Sequence, residues 1–160
     1  MELHKTKIDL AKGKREKLIA ILNQSLADAA DLKSQAKQAH WNVKGPSFIA
    51  LHELFDQVAA EVEAHTDLLA ERITTLGGVA MGTVRLAAEK SSLSEYPHEI
   101  SDGMAHVDAL SSALADFGKK ARKNIDVTDE MGDMDTADIY TEISRAIDKQ
   151  LWFVEAHIQA

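Results

Sequence analysis

Apolar residues recur at steps of three and four along nearly the whole of this chain, and the pattern is broken at only a few places. In the first segment Leu18, Ile21, Leu22, Leu26, Ala29, Leu32 and Ala36 fall on one stripe. That is the helical period, and a chain built on it buries its stripes by packing helix against helix. The first helix is expected from about residue 12 to Val43, where Gly45-Pro46 ends it. Pro46 suits the first turn of the next helix, because its missing N–H would have no partner there. Good helix formers then continue to Leu76, before Gly77-Gly78. Such a helix is about 45 Å long at 1.5 Å per residue.

From Val79 to Ile100 the periodicity weakens and Gly82 and Pro97 intervene, so this stretch reads as a long connection with room for one short helix. Ser101 or Asp102 can cap a third helix carrying Met104, Val107, Leu110, Leu114, Phe117, Ala121 and Ile125 and ending near Asn124. The basic cluster Lys119, Lys120, Arg122 and Lys123 would then lie at its C-terminus, where the helix dipole favours cations. After the acidic turn DVTDEMGDMD, with Asp135 as N-cap, a fourth helix places Ile139, Ile143, Ile147, Leu151 and Val154 on one side. The result is an all-α four-helix bundle with two short connections and one long crossover between helices two and three.

A length of 160 residues with 45% apolar content suits one domain, residues 1–160. Cysteine is absent, which excludes disulfides, thiolate nucleophiles and thiolate metal sites, so any metal is held by nitrogen and oxygen. No apolar run is long enough for a membrane span, and MELHKTKIDL has no apolar signal core, so a cytoplasmic protein without membrane partners is expected. The net charge of −8 argues against general nucleic-acid binding, yet residues 1–17 are basic. Residues 1–11 read as a short basic tail whose clearest charges are Lys5 and Lys7.

The second helix carries the chemistry. On a wheel of 100° per residue, His52, Asp56, Asp67 and Glu71 fall at about 0°, 40°, 60° and 100°, on one face. His52 with Asp56, and Asp67 with Glu71, are i,i+4 neighbours able to hold a cation, whereas the two pairs stand about 22 Å apart along the helix. Metal–ligand bonds are only about 2 Å long, so one helix cannot join the pairs. A second copy lying antiparallel across a two-fold axis near Glu61 and Val62 can, and it makes two equivalent sites. The Gly45-Pro46 reversal lets His40, otherwise about 18 Å from His52, fold back beside it. Glu63, at about 20° on the wheel, is a further geometric candidate. His65 points off this face, within reach of Glu61. Glu95-Tyr96-Pro97-His98 matches an ExxH metal motif, but Pro97 keeps it out of a helix interior.

The runs AKQAHWNVKGPSFIALHELFD, HTDLLAERITTLGG and DTADIYTEISRAIDKQLWFVEAHI resemble the Dps family, the DNA-binding proteins from starved cells, over nearly the whole chain. The resemblance implies a ferritin-like fold and a homododecamer built from two-fold dimers. It implies ferroxidase sites with His40, His52 and Asp56 from one chain and Asp67 and Glu71 from the other, with Trp41 beside them. Fe(II) oxidation, preferentially by hydrogen peroxide, would be followed by storage of ferric mineral; up to two irons per site and no haem are expected. Asp133, Asp135 and Asp138 match the region lining the family's pores through which iron enters. Some members bind DNA through lysine-rich tails. Here that alternative rests on Lys5 and Lys7, and binding is expected to be weak.

Overall fold

The computed structural model describes residues 3–159; residues 1 and 2 of the expected tail, and residue 160, lie outside the described residues. Among the described residues five helices follow one another, α1 (Lys12–Asn42), α2 (Phe48–Thr75), α3 (Val84–Lys90), α4 (Gly103–Glu130) and α5 (Met134–Glu155). Helices α1, α2, α4 and α5 form the bundle, and α3 is the short helix in the crossover. Among the described residues no strand forms, and no helix is long and apolar enough to cross a membrane. The core holds the expected stripes: Leu18, Leu22, Leu26 and Leu32 of α1 pack with Leu51, Phe55, Val58 and Leu69 of α2 and with Leu110, Leu114, Ile143 and Ile147 of α4 and α5.

Several boundaries differ from the sequence expectation, each for a local reason. Pro46 precedes α2 and Ser47 is the N-cap, because Gly45 takes φ +110° and its carbonyl accepts from Phe48 in a separate turn. Helix α4 runs past Asn124 to Glu130: Thr128 is fully buried, so the acidic residues sit on the outer face of a continuing helix. Gly132 at φ +72° supplies the left-handed stop. The basic cluster therefore lies inside α4. Its members form cross-links, Lys120 to Asp116 and Ser92, and Arg122 to Asp148 and Ser144. Asp133, not Asp135, caps α5, accepting from the Thr136 N–H.

Two anchors fix the segments around the bundle. The buried carboxylate of Asp28 accepts from the backbone and hydroxyl of Ser92 and from Gln24, which ties the crossover to α1. At the other end, the His4 N–H donates to Gly77 O at 2.8 Å, and Arg15 reaches both Leu76 O and Leu10 O. With Leu3 and Leu10 packed against the core, the chain from residue 3 onward is laid along the end of α2.

Candidate metal centre

The loop between α1 and α2 places two imidazoles face to face. Their ring centroids are 3.8 Å apart, and the pairing is reciprocal: His40 Nδ1 lies 2.7 Å from His52 O, and His52 Nδ1 lies 2.8 Å from His40 O. A carbonyl oxygen only accepts, so each Nδ1 carries the hydrogen and donates it. In the neutral ring this leaves the lone pair on Nε2, the form in which imidazole binds a metal, and backbone bonding of the other nitrogen is the usual way that form is fixed. The Lys44 N–H donates to Ser101 O, tying this loop to the start of α4.

Asp56 shares an open depression on α2 with both histidines, Glu53, Gln57 and Ala60. Its carboxylate accepts from Lys37 at 2.6 Å, and that bond holds its pKa below the ordinary value. Lys37 also lies 5.7 Å from the ring centroid of Trp41, which is exposed beside the depression with Phe48 and Ile49. Sequence reasoning missed Lys37, although it stands one helical turn before His40. Asp67 lines a second depression with Glu63, Ala60 and Ala64, and both Asp67 and the more distal Glu71 are exposed. Glu63 is held by Lys33 at 2.6 Å.

Among the described residues, no three His, Asp or Glu side chains converge within one chain. His40 and His52 are stacked, Asp56 lines the same depression but is held by Lys37, and Asp67 and Glu71 stand farther along α2, as the helix rise requires. At the level of Glu61 and Val62, Val62 is fully buried in its own core, and the exposed residues of α2 are Ala60, Glu63 and Ala64.

His65 and His98 stand apart from this centre. His65 is buried with Nε2 3.6 Å from Glu61 Oε1, without a hydrogen bond, and burial pushes its pKa down. Glu95 and His98 lie outside any helix, 3.5 Å apart and exposed. At the expected pore segment, Asp133 is buried and paired with Arg72 at 2.7 Å and with the Thr136 hydroxyl, so it is not a free cation ligand. Asp135 and Asp138 are exposed. Burial pushes the Asp133 carboxyl up, but the bonds from Thr136 and Arg72 outweigh it and hold the pKa below its ordinary value.

Comparison with known proteins agrees with this architecture. A ferritin-like domain profile matches residues 19–160. A DNA protection during starvation protein of Agrobacterium fabrum is 46% identical over 159 residues, covering 99% of this chain and 98% of the relative. One from Brevibacillus brevis is 34% identical over 151 residues, covering 90% and 97%. Among solved structures, DpsC from Streptomyces coelicolor superposes with a TM-score of 0.93 at 31% identity, covering 99% of this chain and 92% of that one. Mycobacterium smegmatis Dps gives 0.94 at 30% identity, with 99% and 96% covered. A helical bundle with this crossover, matched over nearly its full length by such relatives, belongs to the ferritin-like family and, within it, to the Dps proteins.

Proposed function

We propose that the protein is an iron-handling ferroxidase. It oxidises Fe(II) to Fe(III), preferentially with hydrogen peroxide, at sites shared between two-fold-related chains, and stores the ferric product in a shell of twelve copies. Removing Fe(II) and peroxide together protects DNA from hydroxyl radical. The observation that carries this reading is the reciprocal His40–His52 pairing, which in the neutral rings leaves both Nε2 atoms free to bind a metal, in side chains that line one depression with Asp56. Neutral imidazole suits the ferrous substrate and carboxylates suit the harder ferric product. Three ligands from one chain are an incomplete set; Asp67 and Glu71 of a second copy complete it. Lys37 balances the charge of Asp56 before the substrate binds, so an incoming cation replaces one positive partner with another. Asp135 and Asp138 are the acidic groups available to guide iron inward.

The test is stopped-flow Fe(II) oxidation on sized protein, with hydrogen peroxide and dioxygen compared at equal concentration. The expected result is elution as a shell that retains ferric iron, with faster oxidation by peroxide. Elution as a monomer that oxidises Fe(II) no faster than buffer would sink the reading.

DNA binding is a second reading, favoured by the exposure of Lys5 and Lys7. Two considerations weaken it: the segment that carries them is tied to Gly77, and each chain has a net charge of −8. Retention of plasmid DNA is expected to be weak, lost by about 0.2 M salt and lost when both lysines become glutamine. Salt-resistant retention by the doubly substituted protein would move the contact elsewhere.

A further inference from the structure

The chain has two tyrosines, both buried, and they differ in what their phenols touch. Tyr140 Oη lies 2.8 Å from Ser25 Oγ, a group with no basic character. Tyr96 Oη, in the crossover, lies 2.6 Å from His106 Nδ1, with the two rings nearly parallel at an interplanar angle of 19°. Nδ1 accepts the phenolic hydrogen only if the ring carries its own hydrogen on Nε2. The backbone carbonyls of Asn42 and Ile100 also face this imidazole, and its buried Nε2 makes no hydrogen bond.

The electrostatics keep the pair neutral. Burial pushes His106 below its ordinary pKa, so it is an unprotonated base. Burial raises Tyr96 well above its ordinary value, so no phenolate forms at neutral pH. The phenol can therefore lose its proton only together with an electron. The pair packs on the core side of α2, and Phe55 stands between it and the helix face that carries Asp56. The His106 ring lies 6.4 Å from that of Phe55, the residue before Asp56, and Asn42 follows Trp41.

We propose that Tyr96 is a one-electron reservoir for the iron site, with His106 as the base that takes and returns its proton. The inference rests on the ferroxidase reading above. Hydrogen peroxide takes two electrons to break its O–O bond, whereas one Fe(II) supplies one. When a site holds a single iron, Tyr96 supplies the second electron: Fe(II) becomes Fe(III), Tyr96 becomes the neutral tyrosyl radical, its proton moves to His106 Nδ1, and the peroxide leaves as two hydroxide ions. A later Fe(II) returns the electron and His106 returns the proton, restoring both side chains. The peroxide is thus reduced without releasing hydroxyl radical. Tyr140, with a hydroxyl partner in place of a base, does not take part.

Freeze-quench EPR on the assembled protein, given one Fe(II) per site and excess hydrogen peroxide, tests this. The expected result is a tyrosyl signal that narrows with ring-deuterated tyrosine, is lost in Tyr96→Phe, persists in Tyr140→Phe and falls in His106→Gln, while spin-trapped hydroxyl radical rises in Tyr96→Phe. Wild-type protein that oxidises its Fe(II) without a tyrosyl signal, or a signal that survives Tyr96→Phe, would overturn the proposal. Wild-type protein that oxidises no Fe(II), read by ferric absorbance on the same sample, would overturn the ferroxidase reading and the reservoir with it.

Discussion

His40→Ala and Asp67→Ala are each expected to slow Fe(II) oxidation at least about 100-fold, and co-assembly of the two inactive proteins is expected to restore part of the rate. The two residues lie on opposite halves of a shared site. In a mixed dimer one site collects both lesions and the other none. Random pairing makes half the dimers mixed, so about a quarter of all sites are intact. The rate should recover to about that fraction of wild type, and only after subunit exchange. Stopped-flow oxidation on mixtures refolded together, against mixtures combined when already assembled, separates the cases. No recovery in verified mixed dimers would mean that each chain holds its own complete site.

The largest stability effect is expected from Arg72→Met. Its guanidinium bridges α2 to the start of α5, with one nitrogen on Asp133 and another on the Thr136 hydroxyl, and Asp133 is buried. Removing one partner of a buried pair leaves an uncompensated charge and costs about 3–5 kcal/mol. Urea unfolding at matched protein concentration measures it, since assembly itself contributes to stability. Because Asp133 is held below its ordinary pKa, its contribution is present above the unfolded carboxylate range and lost as pH falls through the folded value. The difference between Arg72→Met and wild type should therefore be full at neutral pH and shrink in acid, where Asp133 is neutral in both. Adding Asp133→Asn to Arg72→Met should recover part of the loss. A loss below about 1 kcal/mol at neutral pH would place the pair among exposed ion pairs.

The long helices, and the loop that brings His40 to His52, were legible because apolar period and chain reversal are written locally. The fifteen-residue offset between the two candidate ligand pairs on one helix is likewise legible in the sequence, and it is the reason a second chain enters the proposed site. What stayed hidden depended on side chains meeting across the fold. Lys37 on Asp56, Arg72 on Asp133, and Tyr96 on His106 join residues that are 10 to 61 positions apart. No period relates such partners. The end of α4 was misjudged because five residues of mixed polarity, Asp126 to Glu130, resemble a turn until Thr128 is known to be buried. The tail was read from charge alone, whereas Leu3, Leu10 and the carbonyls at the end of α2 decide where it lies.

The central claim is that one chain carries two halves of different sites. Anomalous diffraction at the iron edge, on crystals soaked anaerobically in Fe(II), tests it most directly. The expected peak lies about 2 Å from imidazole Nε2 and Asp56 carboxylate oxygens of one chain and from Asp67 or Glu71 oxygens of its two-fold mate. A peak bound only by residues of a single chain, or none near His40 and His52 at full soak, would contradict the account.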